Sequence, residues 1–269
     1  PTWDELRRED REVAPRVALE VRDVDNRIVR RISAPTSAGF HRVAWDLRYP
    51  AASPINQPAE PDPWGPPPSG PMAMPGTYNV RLSKVVDGEE TPMGEPQSFR
   101  TVALGLATLG AQDREELSAF QRQVGLLQRA VMGTAELARE RGRQLELAAT
   151  AVEHATGNQM AASIAIRSLQ LRLADFGTVL WGDRTIARRS EPTLPGLLAR
   201  VDRVVEGFWS SAAPTETHRG EYATASTLFA DLLAGFEQFE LDFADLQQEL
   251  ELTGAPWTPG RGLPDWRPE

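Results

Sequence analysis

Val17-Ala18-Leu19-Glu20-Val21-Arg22-Asp23, Ile28-Val29-Arg30-Arg31-Ile32, Gly39-Phe40-His41-Arg42-Val43-Ala44-Trp45-Asp46-Leu47-Arg48 and Pro75-Gly76-Thr77-Tyr78-Asn79-Val80-Arg81-Leu82 decide the first half of this chain. Each run is short and rich in strand formers, several alternate apolar with polar residues, and turn formers separate them. That pattern predicts a small antiparallel β-sandwich, each sheet with one buried face, over about residues 16–102. Asp23 to Arg27 is the first hairpin turn, with Asn26 suited to a left-handed backbone. Asp87-Gly88 joins two later strands, Leu82 to Val86 and the run ending at Val102. Trp45 is assigned to the sandwich core.

Between Tyr49 and Pro75 the chain is dense in proline and carries Trp64, Gly65 and Gly70. Proline has no amide donor, so the segment 49–75 reads as a polyproline-like loop unable to form a ladder. Its length is unusual for a plain connection and marks it for function or disorder. Residues 1–15, dense in both charges and closed by Pro15, read as a connector with one or two helical turns.

From Gln112 the period changes from two to 3.6 residues. Tyr222, Ala225, Phe229, Leu232, Phe236, Phe239, Phe243, Leu246 and Leu250 are spaced by alternating steps of four and three, and only a helix sets such residues on one stripe. A first helix carries Leu117 through Val152 in the same spacing, a second Ile166 to Leu180, and a third Leu194 to Phe208. Thr193 and Thr215 are the candidate N-caps, with Pro195 early in the third helix. Four amphipathic helices with short links predict an antiparallel four-helix bundle over 112–253. The seam of the first helix is small (Ala135, Ala138, Gly142), and the reading sets it against the phenylalanines of the fourth. Residues 103–111 read as a hinge and 254–269 as an irregular tail. The predicted class is thus α+β and multidomain: an all-β Ig-like sandwich followed by a four-helix bundle.

The net charge is −9, which argues against nucleic acid or an anionic membrane surface as partner. No run approaches the roughly 20 apolar residues of a membrane-spanning helix, so no membrane insertion is expected. The chain has no cysteine, which removes disulfides and thiolate metal sites and suits an exported protein. Beginning at Pro1 without an initiator Met, it reads as a processed product or a C-terminal piece of a longer protein.

No catalytic motif stands out. His41, His154 and His218 lack metal-ligand spacing, and no Gly-x-Ser-x-Gly elbow occurs. Glu237, Glu240, Asp242, Asp245 and Glu249 alternate with an apolar stripe and read as its solvated face, not as a glycosidase pair. Asp23-Val24-Asp25-Asn26 lacks the glycine and distal glutamate of a calcium loop. Gly105 to Gly110 lacks the lysine of a phosphate loop. No catalytic, cofactor or metal residue is therefore assigned. What remains are aromatics outside the periodic faces: Trp3, Tyr49, Trp64, Trp257 and Trp266. Such residues stack on sugars, fill partner pockets or pin their own loops. Together with Leu6, the four tryptophans among them predict that the connector, loop or tail contacts another domain or subunit, burying at least roughly 1,000 Å².

The β region resembles the Ig-like module of flagellar-hook-capping and bacterial cell-surface proteins. The resemblance rests on Asp23, Ile28-Val29-Arg30, Gly39 to Asp46 and Pro75 to Leu82, and departs from that module at the long proline segment. The whole chain looks like the C-terminal region of exported bacterial sortilin-like or glycosidase-like β-propeller proteins, through Arg7 to Glu12 and Pro256 to Arg261. That resemblance implies an extracellular or periplasmic, non-catalytic accessory module. Its partner would be another domain of the same parent protein or another subunit. The alternatives are a carbohydrate-binding module for polysaccharide using Trp64 and Tyr49, part of a glycoside hydrolase whose catalytic domain lies elsewhere, and a hydrolase with its site between sandwich and bundle.

Overall fold

The computed structural model describes residues 1–55, 69–105, 110–207 and 212–264. It is a mixed structure of antiparallel sheets and helices. In chain order these are α1 (Trp3–Glu9), β1 (Arg16–Arg22), β2 (Ile28–Ala34), β3 (Arg48–Pro50), β4 (Ser69–Met72), β5 (Gly76–Val86), β6 (Glu89–Pro92) and β7 (Gln97–Thr101). There follow α2 (Ala111–Glu153), α3 (Met160–Trp181), α4 (Arg184–Ala187), α5 (Leu197–Glu206) and α6 (Glu216–Leu252). Two compact units emerge, and the division falls inside α2, between Arg122 and Gln123, beyond the 103–111 segment read as a hinge. α2 is one unbroken helix of 43 residues, so no change of period marks that division in the sequence.

In the first unit β1 lies between β2 and β5, antiparallel to both. The eleven-residue β5 serves two partners along its other edge. Its first half pairs with β7, from Gly76↔Thr101 to Val80↔Gln97, and its second half with β6, from Ser83↔Pro92 to Val86↔Glu89. Both tight turns form for the reasons visible in sequence. Asn26 takes φ 61°, and the Asp23 carboxylate accepts from the amides of Asp25 and Arg27. Asp87 and Gly88 both lie in the left-handed region, at φ 50° and 83°, which matches the twist of the flanking strands.

Two readings of this region are corrected. Of the run Gly39 to Arg48, only Arg48 enters a strand. Leu47 turns the chain at φ 58°, the Asp46 carboxylate accepts from the Arg48 amide, and the Trp45 indole N–H donates to the Arg48 carbonyl at 3.1 Å. Side chains therefore do here what a strand ladder would have done. The ends of the proline segment also pair after all, Arg48↔Met72 and Pro50↔Ser69, as the short ladder β3–β4. So short a ladder tolerates Pro50 and Pro71 because few amides are asked to donate. Residues 56–68 lie outside the described residues.

The core of this unit is small. Val21, Val29 and Tyr78 are buried, with Trp45, Tyr49 and Phe99 packed around them. Tyr78 meets Trp45 edge-on at 5.3 Å between centroids and stacks on Phe99 at 5.9 Å. On the other face of β1, Glu20 is buried and held by Arg22 at 2.5 Å and Arg31 at 3.0 Å. Burial pushes its carboxyl up, but the hydrogen bonds and charges of the two arginines outweigh that and leave it below its ordinary range.

The second unit is built on apolar stripes. Every stripe residue of α6 from Ala225 to Leu250 is buried, Phe239 completely. From α2 come Val131, Ala135, Ala138, Leu145 and Val152, from α3 Ile166, Leu169 and Leu180, and from α5 Leu197, Val201 and Val204. Burying each large apolar side chain is worth roughly 1.5–3 kcal/mol, so these stripes can carry a core of their own. Among the described residues there are six helices where the sequence reading counted four in the bundle and a turn or two in the connector. The unforeseen one is α4, a single turn capped by the Asp183 carboxylate.

Thr215 caps α6 and, with His218, closes a capping box. Thr193 does not cap α5; Gly196 does, and Pro195 stays outside the helix. A Cβ at Gly196 would stand 2.4 Å from the Gly182 amide nitrogen, so the backbones meet where no side chain fits. The phenylalanines of α6 also find an aromatic partner on α3 that the sequence reading did not name. Phe236 and Phe239 gather on Phe176 of α3, at 5.3 and 5.9 Å, while Gly142 of α2 faces Leu173 of α3.

Candidate functional site

The aromatics singled out in the sequence do not converge. Trp3 stands 76% exposed on α1, whose first turn is closed by a Thr2–Glu5 capping box. Tyr49 is half-buried beside the sheet core, its carbonyl accepting from Arg30 at 3.3 Å, and burial raises its phenol. Trp257 is 50% exposed in the tail, its indole N–H donating to the Gly262 carbonyl at 2.8 Å. Trp64 and Trp266 lie outside the described residues. The tail itself docks on the helical unit through other residues. Ala255, Thr258 and Arg261 are buried, and Gly260 is pressed so close to Gln144 that a Cβ there would clash at 2.2 Å. The Arg261 guanidinium pairs with Glu251 and donates to the Pro256 carbonyl at 2.9 Å.

What the fold gathers instead is a cleft of about 740 Å³ within the helical unit, between α2 and α3 and closed at one end by the start of α4. Small residues, Ala138 and Gly142 from α2 and Ala174 and Gly177 from α3, line it together with the larger Leu145, Gln170 and Leu173. A Cβ at Gly177 would lie 3.3 Å from the Trp181 ring, so glycine there lets the ring lie close along the helix. Trp181 ends α3 because Gly182 follows it at φ 81° and donates back to the Thr178 carbonyl, a helix stop that turns the chain into α4.

Two guanidinium groups stand over that indole. Arg139 of α2 lies 5.1 Å from the ring centroid and Arg184 of α4 lies 5.7 Å from it. Each such contact is worth about 0.5–1 kcal/mol at an exposed site, and together they fix two positive charges at the cleft end. Arg139 is also paired with Glu136, whereas Arg167 lines the cleft with no ion pair among the described residues. Of the two carboxylates in the lining, that of Asp183 is committed to the Thr185 and Ile186 amides. The lining thus holds three arginines and two carboxylates, Glu146 and Asp183, with Glu136 paired to Arg139 beside it.

Around it the helices are braced by half-buried ion pairs. Arg141 forks onto both oxygens of Glu240 at 2.9 and 2.6 Å, and that hydrogen bonding raises the guanidinium pKa. Arg172 pairs with Asp242 and holds its carboxyl below the usual range. Arg200 and Arg203 share Glu221, each at 2.5 Å. The first two tie α2 and α3, which carry Arg139 and Arg167, to α6, and the third ties α5 to α6.

A second surface feature lies on α2. Leu126, Ala130, Gly133 and Leu137 follow helical spacing and line a shallow depression of about 460 Å³ with Arg129 and Thr134. Leu126 is 69% and Leu137 37% exposed. Among the described residues no three of His, Asp and Glu gather as metal ligands, and no helix is long and apolar enough to cross a membrane. Sequence reasoning passed over the cleft because Trp181 falls one residue off the α3 stripe and its arginines lie on three helices. The available signal was a tryptophan between Gly177 and Gly182 at a helix end.

No protein-family model matches this sequence, and no curated protein or solved structure matches it either.

Proposed function

We propose that the chain is a non-catalytic accessory module of an exported β-propeller protein, an Ig-like sandwich followed by a four-helix bundle, that works through protein–protein contact. The observation that carries this reading is the outward apolar stripe of α2, Leu126 to Leu137, left exposed while the inward stripe of the same helix fills the core. Exposed apolar surface at helical spacing is a cost to a lone soluble chain and a gain to one that meets a partner. The fork of Arg141 on Glu240 and the buried tail supply the stiff support such a surface needs.

The test is binding. The gene upstream of Pro1 is read for a propeller-coding stretch, and the two parts are expressed separately and mixed in a calorimeter. Binding is expected, weakened by about tenfold or more in the Leu126→Glu, Leu137→Glu double variant. Absence of an upstream propeller, or binding indifferent to that double variant, overturns the reading.

A further inference from the structure

We propose that the outward face of α2 is covered by the same face of a second copy of the chain, the two helices running antiparallel. The inference rests on the reading of that face as a contact surface and names what lies on it. Pairing and binding of a propeller exclude each other there. Gln123, Leu126, Ala130, Gly133, Leu137 and Glu140 follow one another along the face at alternating steps of three and four. All are exposed except the half-buried Glu140. A contact between identical copies about a two-fold axis needs a patch complementary to itself. With the axis level with the Val131–Met132 peptide, Leu126 meets Leu137 of the other copy, Ala130 meets Gly133, and Gln123 meets Glu140. Large residues thus face large, small face small at the centre where crossing helices are closest, and an amide faces a carboxylate at each end.

Gly133 supplies an independent reason. Glycine inside a helix is costly relative to alanine, and no described atom of the chain lies within 4 Å of where its Cβ would stand. Nothing within the chain calls for it, whereas the close approach of a second backbone does. Charge fixes the direction. In the antiparallel pair Arg129 of each copy comes beside Glu136 of the other, so one ion pair forms twice. A parallel pair would set Arg129 beside Thr134 and leave both guanidinium groups unmatched. Glu136 holds Arg139 of its own helix, and its second oxygen can accept from the other copy. From Gln123 to Glu140 the face runs seventeen residues, about 26 Å at 1.5 Å per residue. A two-helix contact of that length falls at the small end of specific interfaces, below roughly 1,200 Å², so the dimer is weak and answers to concentration.

The experiment is sedimentation equilibrium of the full chain over roughly 5–500 µM. A monomer–dimer equilibrium is expected, weakened by about tenfold or more in Gly133→Gln, whose side chain fills the central layer. The same substitution is expected to raise the thermal midpoint of the dilute chain, because glutamine favours a helix over glycine. Arg129→Glu alone and Glu136→Arg alone set like charges opposite one another, and each is expected to weaken pairing by about tenfold. An equimolar mixture of those two variants is expected to recover the association of the parent, since every like pair becomes an opposite one. A chain monomeric at every concentration, a dimer indifferent to Gly133→Gln, or charge variants that fail to complement each other overturns the proposal. Propeller binding lost in Leu126→Glu, Leu137→Glu while the chain never dimerises overturns the second copy alone and leaves the accessory reading standing. Complementing charge variants without any propeller binding uphold the dimer and overturn the accessory reading.

Discussion

The two units of this molecule build their cores in opposite ways. In the sheet unit, Val21, Val29, Trp45, Tyr78 and Phe99 come from five separate segments and meet in one small cluster. In the helical unit a single segment, α6, delivers eight buried side chains in register. A core assembled from scattered residues leans on each one and on the polar contacts that aim them. A core assembled from periodic stripes leans on repetition and is vulnerable mainly at its centre.

The largest effect is expected at that centre. Phe239 is completely buried and touches Phe176, Phe236 and Phe243. Phe239→Ala should cost about 3–5 kcal/mol, read as a lower denaturant midpoint in far-UV circular dichroism. A loss below about 1 kcal/mol would mean that the stripe repacks freely, and the contrast with the sheet core would collapse.

The next effect separates the units by pH. Burial pushes the Tyr78 phenol up to about 12 from an ordinary 10. A raised folded-state value means that its stabilisation is complete below pH 10 and is lost as pH rises through 12. Full loss amounts to about 2–3 kcal/mol at two units of 1.36 kcal/mol each. On the acid side Glu20, Glu221 and Asp242 are all lowered, so their contributions are present above their unfolded values and fade as pH falls through the folded ones. Acid should therefore weaken both units. Alkali should strike the sheet unit first, measured by near-UV absorbance of tyrosinate against the helical signal.

Tyr78→Phe sharpens the same point. The hydroxyl donates to the Met74 carbonyl at 2.5 Å, while the ring supplies the contacts to Trp45 and Phe99. Removing only the hydroxyl should cost about 1–2 kcal/mol and abolish the tyrosinate transition assigned to Tyr78. An unchanged melting temperature would show that the aromatic stack alone holds this core.

The same contrast governs what the sequence disclosed. The α6 stripe was legible from Ala225 to Leu250 because a period of 3.6 sustained over that span has one structural solution. The hairpins at Asn26 and Asp87-Gly88 were legible because left-handed backbone restricts the choice of residue. Gly39 to Trp45 read as a strand and is not one, since the local hydrogen bonds of Asp46 and Trp45 compete with any ladder. The cleft left a single trace in the sequence, Trp181 between Gly177 and Gly182. Ala138 and Gly142 looked like ordinary seam, and no local pattern says that Leu173 of α3 lies against Gly142. Cation–π contacts such as Arg139 on Trp181 join residues 42 apart and leave no local pattern.

The smallest effect concerns where the strength of α6 resides. Thr215 accepts from the His218 amide at 3.3 Å, and the His218 ring returns the contact to the Thr215 amide at 3.4 Å. The buried stripe begins only at Ala225, more than two turns further along. If the repeated apolar face holds the helix, losing the cap should fray the first turn and leave the rest intact. Thr215→Ala is accordingly expected to cost about 0.5–1 kcal/mol, with Thr215→Ser near the parent. Hydrogen exchange should quicken at the amides of Glu216 to Arg219 and stay unchanged beyond Ala225. Faster exchange along the whole of α6 would place the helix under the control of its cap, and its core would then depend on one residue as the sheet core does.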